Sequence, residues 1–533
     1  MNTRIIALVC LLFAPAQSAL AQLTGPAEGG TATLSVIPTN VHLSSSHPAI
    51  LDPIRALQPV ASISSLTLAD TGKAPDSSRA KVPDSSRYNM YGLLRNDDPV
   101  YTPRSPWYIP AIKVVGSNLF TFAVDKFLLN SDFSVIGLNS WAYNIKNGWE
   151  WDQDRFGMNF FFHPYTGAAY FNAARSTGYT FWESIPFAAG GSLMWEYFGE
   201  NTRPSYSDLM ETTIAGTFGG EILYRLSSQL LDDRTSGAER FFREAGSAII
   251  APTRFLTRLI QGALWRDVPM QIYEKEPLNV TLYAGTQLVN DGAKLLTGHA
   301  NLMANLQLDY GNPFENIDRK PFDFFRLRAD LSFAAGRKII DNVTGYGILY
   351  GVNAPGKEVS TLVGAFQYYD FWDNSTFELG TLGVGVGVIN KYPFLKTLNL
   401  YTALHVAVVP IAGNSSIYGP NDTSQVRDYN YGGGLEGKFE TTLTLGNVAT
   451  ARLIAYCFWV HTYVGLPGNN FITMLTPRVT FAIYDQLSLG FEQMIYFGDR
   501  YLRDLGAIHT VRTEQKLFLM LYMEDPQRSG HYN

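Results

Sequence analysis

The stretch Asn301-Leu-Met-Ala-Asn-Leu-Gln-Leu-Asp-Tyr310 lies in the second half of the chain and alternates apolar with polar residues. Its even-numbered positions are apolar, while the odd-numbered Asn305, Gln307 and Asp309 are polar. A period of two is that of a β-strand with one face in an apolar medium and the other in water. The stretch therefore predicts an amphipathic strand.

The same alternation recurs to the end of the chain. Following Pro277 we count about twelve segments of the roughly 10-residue length that a tilted transmembrane strand requires. They begin near Asn279, Ala300, Asp323, Val343, Glu358, Thr376, Thr397, Asp428, Thr450, Thr473, Gln486 and Gln515. Because an even number of antiparallel strands closes a sheet without leaving a free edge in lipid, the pattern predicts a mainly β protein, an outer-membrane antiparallel β-barrel of about 12 strands.

A soluble β-sandwich would show the same alternation on its inward face. The polar face of these segments, however, carries many charges and no apparent second apolar layer. We therefore expect that face to line the interior of a barrel. The charged residues assigned to the lumen are Arg326, Arg328, Asp330, Glu436, Lys438, Arg478 and Glu492.

Composition and the N-terminus agree with export to an envelope. Charged residues make up only 17% of the 533 residues and aromatic residues 14%, a balance that favours membrane strands over an average cytosolic enzyme. Met1 to Ala21 contains Arg4, an apolar run and Ala19-Leu-Ala21, the three parts of a secretory signal peptide. Removal of that segment leaves Cys457 as the single thiol, so no internal disulfide is expected.

The charge balance also bears on partners. The chain has 41 basic and 47 acidic residues, a formal net charge of −6, and no basic stripe that could neutralise phosphates. Nucleic-acid binding is therefore disfavoured. The expected partner is outer-membrane lipid, protein partners are left undefined, and the expected location is the cell outer membrane.

Five regions follow from these patterns. Residues 1–21 are predicted as the signal peptide and 22–106, rich in Ser and Pro, as a disordered linker. Residues 107–275 are predicted as a helical domain, 276–524 as the barrel and 525–533 as a polar tail.

The helical domain is expected to contain a helical hairpin. One arm runs from about Phe181 to Gly199, the break is Asn201-Thr-Arg-Pro204, and the next helix, capped by Ser205 with Asp208 three residues on, runs to about Leu231. Small residues recur at four-residue spacing on both arms, which allows two backbones to approach closely. We therefore expect the hairpin to plug or cap the barrel.

Four residues of this domain are candidate acid or base groups. Glu196 and Glu200 share one helix face, Asp208 could join them across the break, and His163 could carry a proton. The alternatives are solvated or Arg-paired glutamates near a helix end, a capping role for Asp208 and a structural hydrogen bond from His163. The supporting residues are Arg175, Glu183, Glu221 and Arg225. Without a second His or Cys at ligand spacing, no metal and no cofactor is expected.

A set of short motifs runs through the same region. It comprises Trp151-Asp-Gln-Asp, His163-Pro-Tyr-x-Gly, Tyr170-Phe-Asn-x-Ala-Arg175, Phe181-Trp-Glu-Ser184, Gly191-Ser-x-x-Trp195-Glu196, Gly199-Glu200, Pro204-Ser-x-x-Asp208 and Gly220-Glu-x-x-Tyr-Arg225. As a string it resembles the bacterial domain-of-unknown-function family DUF3943, from about Tyr101 to Ser228. The resemblance implies an envelope protein of a Gram-negative bacterium and brings no catalytic assignment.

Function is less constrained than fold. The leading expectation is an outer-membrane barrel with a structural or transport-related role in the envelope, plugged or capped by its helical domain. The alternative is a membrane-embedded enzyme that modifies a lipid or glycolipid with the acidic residues of the hairpin. A third class is a binding module whose hairpin docks a partner.

Overall fold

The computed structural model describes Leu94, Arg95 and residues 104–524 with short gaps at 269–272, 291–295, 316–317, 335–337, 355, 357, 375, 396, 416–428 and 504–505. The predicted signal peptide, nearly all of the predicted linker and the predicted polar tail lie outside the described residues.

Twelve strands form a closed antiparallel barrel in which each strand pairs with its neighbours in sequence and the last pairs with the first. They are β1 Leu278–Asn290, β2 His299–Tyr310, β3 Phe325–Phe333, β4 Ile340–Ala354, β5 Ser360–Asp373, β6 Glu378–Leu395, β7 Leu398–Ser415, β8 Tyr429–Leu445, β9 Ala449–Val464, β10 Gly468–Tyr484, β11 Leu487–Leu502 and β12 Gly506–Met523. The predicted fold class is confirmed, including the number of strands.

Most strands begin within a few residues of the predicted positions. The largest differences are in β10, which begins at Gly468, and in β12, which begins at Gly506. Glycine and asparagine at the start of β10, and charged or polar residues early in β12, are typical of turns. In the barrel, the first residues of β10 and β12 pair with the backbone of the neighbouring β11. Both strands therefore begin before the alternating apolar residues that predicted them.

Contacts across the barrel show which face of each strand points inward. Arg328 on β3 donates to Glu440 on β8 at 2.8 Å, although four strands lie between them by the shorter path. Arg478 on β10 likewise donates to the hydroxyl of Tyr283 on β1 at 2.7 Å. Such pairs can meet only through the interior, so these side chains point into the lumen and their sequence neighbours point outward.

Outside the barrel, much of the wall is apolar and exposed. Outward-facing residues of β6 to β12 that are exposed include Val386, Leu404, Val406, Leu435, Phe481, Leu517 and Leu519. A large exposed apolar surface around a closed barrel is what contact with lipid requires. The barrel is therefore of the outer-membrane type.

The helices precede the barrel. They are α1 Tyr108–Val124, α2 Leu138–Asn147, α3 His163–Arg175, α4 Phe181–Phe198, α5 Tyr206–Met210, α6 Gly216–Leu230, α7 Gly237–Ile250 and α8 Pro252–Ile260. Single π-helical turns at Asp125–Leu129, Met158–Phe162 and Glu211–Ala215 extend α1, precede α3 and join α5 to α6. Among these described helices none has the length and apolar character needed to cross a membrane.

The helical domain packs against the outer surface of the barrel. Gln367 on β5 donates to the carbonyl of Ile214 at 2.8 Å, and the Tyr369 hydroxyl donates to the carbonyl of Phe160 at 2.5 Å. Tyr368, between these two strand residues, points into the lumen, where its hydroxyl lies 2.9 Å from His405. Of the two expected arrangements, plugging or capping the barrel, the plug is therefore contradicted. They cover outward-facing side chains, and the strands' own charged residues occupy the interior.

Two glycines of β4, Gly345 and Gly347, lie on this covered outer wall. A Cβ on Gly347 would come within 2.3 Å of the Phe322 ring, and one on Gly345 would come within 3.1 Å of the Phe218 ring of α6. Their strand neighbour Tyr346 faces inward, close to His405. The two glycines thus make room for aromatic rings that fasten the helical domain to the wall.

Within the helical domain the closest helix pair is α3 with α6. A Cβ on Gly216 would lie 2.6 Å from the backbone of Gly167, and one on Gly220 would lie 2.7 Å from the Phe171 ring. The small residues of α6 therefore serve a close approach to α3. The close approach that the small residues of the two hairpin arms allow is made to α3, which lies against both α4 and α6.

Candidate functional site

The break between α4 and α5 brings three carboxylates together. Glu196 lies in the last turn of α4, Glu200 follows the end of that helix, and Asp208 lies in the first turn of α5. Ser205 caps α5 as predicted, its hydroxyl accepting from the Asp208 amide at 3.2 Å. Its own amide donates to Glu196 at 2.7 Å. The cap of one helix thus holds an acid from the other in place.

The three carboxylates offer one oxygen each at separations within 4.8 Å of one another. Glu196 and Asp208 are buried, with 1% and 4% of their surface exposed, whereas Glu200 is half-buried. Among the described residues, no lysine or arginine forms an ion pair with any of the three. Three acids so close together repel one another strongly once they are ionised.

Burial and mutual repulsion shift the acidity of the whole group. Burial, reinforced by the neighbouring carboxylates, raises the pKa of Glu196 and of Glu200 well above the usual range. Burial also raises the pKa of Asp208 to about 7, with Asp152 and Asp154 adding to the rise and His163 opposing it. The cluster therefore favours a bound proton or another positive charge.

His163 lies beside Asp208. Its Nε2 atom is 3.6 Å from Asp208 Oδ2, and its Nδ1 atom is 3.3 Å from the Thr212 hydroxyl. The ring is half-buried at the start of α3. The structure thus brings all four candidate residues, His163, Glu196, Glu200 and Asp208, into one site.

The barrel wall closes one side of this site. The Tyr431 hydroxyl donates to Asp152 at 3.1 Å, and Asn159 donates to Asp152 at 2.9 Å. Tyr429 donates to the Tyr431 hydroxyl at 2.6 Å. Ser207, two residues after the α5 cap, donates to Asp152 at 3.0 Å. A buried polar network therefore links the acid cluster to the outward face of β8.

Glu211 is a member of the site that the sequence patterns did not single out. It is fully buried, and neither of its carboxylate oxygens has a hydrogen-bond partner. It follows Asp208 by three residues, so the two side chains lie on one helix face. Burial raises its pKa, and among the neighbouring charges Asp208 contributes most. The three-residue spacing of Asp208 and Glu211 was a signal for this fourth acid.

Asp152 is the second member that was missed. It belongs to the Trp151-Asp-Gln-Asp154 motif, which the sequence offered only as part of a family resemblance. The segment reaches the cluster because Glu150 pairs with the start of α5: the Glu150 amide donates to the Pro204 carbonyl at 2.8 Å, and the Tyr206 amide donates to the Glu150 carbonyl at 2.9 Å.

The expected supporting residues lie elsewhere. Arg175 and Arg225 both donate to Glu221, each at 2.8 Å, and Arg225 also pairs with Asp323 at 3.1 Å. Glu221 lies thirteen residues after Asp208, roughly 20 Å along the helix axis. Arg175 and Arg225 therefore balance a different buried acid and do not partner the cluster.

Glu183 also serves a separate purpose. Its carboxylate accepts from the Thr180 amide at 3.0 Å, completing the capping box of α4, and it pairs with Arg104 at 2.6 Å on the surface. Hydrogen bonds from Thr180 lower its pKa.

The lumen residues form their own network. Arg326 and Arg328 pair with Glu440, Asp330 with Lys516, Lys438 with Asp370 and Glu436, and Arg478 with Glu492. Because all of them point inward, none of these partners belongs to the carboxylate cluster on the outer wall. Among the described residues, no ion pair joins a lumen arginine to Glu196 or Glu200.

The expectation of no metal rested on the lack of a second His or Cys. That reasoning was incomplete, because carboxylates alone can bind hard cations. The cluster of Glu196, Glu200 and Asp208 is arranged such that one ion could contact all three.

Residues 148–253 match the family described as "Domain of unknown function (DUF3943)". This range includes the carboxylate cluster, with Asp152 and Glu211. No curated protein matches the chain.

Among solved structures, the chain is similar to several outer-membrane channels. The outer membrane channel DcaP of Acinetobacter baumannii is 11% identical, with 47% of this chain and 97% of the channel covered and a TM-score of 0.22. The NanC porin is 9% identical, with 46% and 100% covered and a TM-score of 0.27. The anion-selective porin from Comamonas acidovorans is 9% identical, with 46% and 98% covered and a TM-score of 0.22.

Proposed function

We propose that the barrel is an outer-membrane anchor that conducts no solute and carries on its outer wall the helical domain, whose residues 148–253 match the DUF3943 family. The observation that supports the proposal is the position of the lumen charges. Arg328 and Tyr456 reach Glu440 from different strands at 2.8 and 3.0 Å, and Arg452 reaches it at 3.1 Å. Direct pairs of this kind fill the interior where a pore would hold water.

The helical domain is suited to a position beside the barrel. Large apolar side chains on its surface are exposed and include Trp107, Leu119, Phe120, Phe127, Leu128, Phe241, Phe242, Ile260 and Trp265. Large exposed apolar side chains in this number support contact with the membrane. The domain would then lie at the membrane surface or partly within it, where lipid molecules can approach the acid cluster.

Planar-bilayer recording of the purified full-length protein tests the anchor role. We expect no unitary conductance. A second sample lacking residues 107–275 serves as the comparison, because a plugged pore would open on removal of its plug, whereas a barrel filled by its own side chains would stay closed. Conductance in the full-length protein, or its appearance only after the deletion, would overturn the proposal in favour of transport.

The acid cluster favours a second function, an enzyme that modifies a lipid or glycolipid. Carboxylates whose pKa values are raised toward neutrality can donate or accept protons at physiological pH. Asp208 fulfils this condition, with His163 as its neighbour. Glu200 and Asp154 are the members of the site nearest solvent, being half-buried and exposed.

Mass spectrometry of envelope lipids tests this second function. The strains to compare are wild type, a deletion strain, and the deletion strain complemented with Glu196→Gln, Asp208→Asn or the surface control Glu183→Gln. An enzyme predicts a lipid species that changes in the deletion strain and is restored by the control but by neither cluster variant. An unchanged profile in the deletion strain would remove the enzyme hypothesis and leave the anchor role standing.

A further inference from the structure

We propose that Glu196, Glu200 and Asp208 form a binding site for a hard divalent cation such as Ca²⁺ or Mg²⁺. The inference goes beyond the anchor role and does not depend on any catalytic activity. It rests on the geometry of the three carboxylates and, independently, on buried oxygens beside them that have no hydrogen-bond partner.

The geometry fits one ion. A hard divalent cation with metal–oxygen distances of about 2.0–2.6 Å places its ligands roughly 3–5 Å apart. The three carboxylates offer oxygens within 4.8 Å of one another. They come from the end of one helix, the following break and the start of the next helix, so the two helix ends fix the spacing. No rearrangement of the backbone is needed for a common ion to contact all three.

Unpartnered oxygens supply the second observation. Asp208 is 4% exposed and its Oδ1 atom accepts no hydrogen bond, and Glu211, fully buried on the same helix face, has no partner on either oxygen. A buried carboxylate without hydrogen bonds destabilises the folded protein. A positive charge between these groups would offset that cost.

The surroundings favour an oxygen-binding ion over a basic side chain. Arg203, which is close in sequence to Glu200 and Asp208, is already committed: it pairs with Glu150 at 3.0 Å and donates to the carbonyls of Gly148 and Trp149. His163 can add one nitrogen at the edge of the site. A donor set of carboxylates with at most one imidazole suits Ca²⁺, Mg²⁺ or Mn²⁺ better than a thiolate-seeking metal.

Because Glu200 is only half-buried, an ion can reach the cluster from solvent. Asp154 is exposed, whereas Asp208 and Glu211 are buried. An ion entering past Glu200 would keep open coordination positions for water or for an anionic headgroup. The site would therefore bind a cation without being closed off from the membrane surface.

Luminescence of Tb³⁺, a Ca²⁺ substitute, tests the proposal on the full-length protein in detergent after treatment with a chelator. Trp149 and Trp151 pack on Tyr206, two residues before Asp208, and can sensitise the ion. We expect saturable emission that Ca²⁺ or Mg²⁺ displaces. Asp208→Asn and Glu200→Gln should weaken binding at least about 10-fold, while the surface variant Glu183→Gln should bind like wild type.

Thermal unfolding separates a cation site from a purely structural acid cluster. In chelator, Asp208→Asn should melt at or above the wild-type temperature, because one repulsive charge is removed. Added Ca²⁺ should raise the melting temperature of wild type and of Glu183→Gln, but not that of Asp208→Asn. Absence of Tb³⁺ binding in a wild-type protein that migrates as a folded barrel on unheated gels would overturn the proposal. So would Tb³⁺ binding by Asp208→Asn and Glu200→Gln that is as tight as that of wild type, or a melting temperature of Asp208→Asn in chelator below that of wild type.

Discussion

At the scale of single residues, the contact between barrel and helical domain depends on polar groups placed on a surface that elsewhere is apolar. Tyr429 and Tyr431 are outward-facing residues of β8, yet both are buried and their hydroxyls face Asn159. Farther along the same strand, outward-facing Leu435 and Phe439 are exposed. A tyrosine hydroxyl in lipid would lack partners, so these two positions mark where the wall meets protein.

We expect Tyr431→Phe to loosen the helical domain. The change removes the hydroxyl that donates to Asp152 and should cost about 1–2 kcal/mol of docking stability. Trp151, whose ring centroid lies 4.9 Å from that of Tyr431, provides the fluorescence signal for a denaturant titration. Tyr484→Phe is the matched control, because Tyr484 is 79% exposed on β10. Equal midpoints for both variants would contradict the assigned role of the hydroxyl.

At the scale of secondary-structure elements, the helical domain is organised around α3. Nine of its thirteen residues are buried. The backbone of its Gly167 packs directly against the backbone of Gly216 in α6. On the other side, Gly191 of α4 lies against the Tyr170 ring. Interfaces of this kind depend on van der Waals contact at short range, so small residues are required where the axes come closest.

Gly216→Ala should therefore destabilise the domain, whereas Gly190→Ala should not. The new Cβ at position 216 would meet the Gly167 backbone at 2.6 Å, which cannot move without separating the helices. We expect a loss of about 1–3 kcal/mol. A Cβ at position 190 meets nothing within 4 Å, so replacing a helical glycine there should be neutral or stabilise by up to about 1 kcal/mol. Chemical denaturation followed by tryptophan fluorescence measures both, and effects of the same sign would count against the close approach.

The junction between the two parts of the chain is held by Lys275. Its ammonium donates to the carbonyls of Gln229 and Leu231 at the C-terminal end of α6, at 2.9 and 2.7 Å. A cation is favourable there because the last carbonyls of a helix carry partial negative charge. Burial nevertheless lowers the pKa of Lys275 to about 8.

This shift predicts a stability that increases with pH. Between about pH 8 and the unfolded value near 10.5, the unfolded chain binds the proton more tightly than the folded one, so the free energy of unfolding rises with pH. Below pH 8 both states are charged and the contribution is constant. Lys275→Met should abolish this part of the rise, whereas the exposed Lys146→Met should retain it. Urea titrations from pH 7 to 10 provide the comparison, and parallel curves for wild type and Lys275→Met would contradict the assignment.

At the scale of the whole molecule, two polar systems are separated by the barrel wall. Inside, Glu440 is 1% exposed and accepts from Arg326, Arg328, Arg452 and Tyr456. Outside, the carboxylate cluster lies between helices and the covered face of β8. Because side chains alternate along a strand, neither network can reach the other, and the wall keeps the two kinds of chemistry independent.

Glu440→Ala should destabilise the barrel itself. It would leave three guanidinium groups without their shared partner in a buried place, at a cost of about 3–5 kcal/mol. The temperature at which the folded band disappears on a denaturing gel should fall. The denaturant midpoint for unfolding of the helical domain, followed by tryptophan fluorescence, should change less. Glu358→Ala, in an exposed connection between β4 and β5, is the control and should behave like wild type. An unaltered transition in Glu440→Ala would show that the lumen network contributes little.

The barrel was predictable from the sequence because its signal is local. A period of two in stretches such as Leu302–Tyr310 reflects the alternation of faces within each strand, and closure follows from the need to leave no edge in lipid. The helices around Ser205 were equally local, since a cap and a proline lie within a few residues of the ends they define.

The placement of the helical domain was decided only by the tertiary structure. Leu308 and Leu404 both point outward from the barrel, but protein covers Leu308 whereas Leu404 is exposed. Both positions hold leucine because lipid and a protein core favour the same apolar side chains. Periodicity therefore shows which residues face outward and cannot show what covers them. The carboxylate cluster is similar: the sequence supplied Glu196, Glu200 and Asp208, but Asp152, Glu211 and Tyr431 joined them only when segments separated by up to 279 residues met at one face of β8.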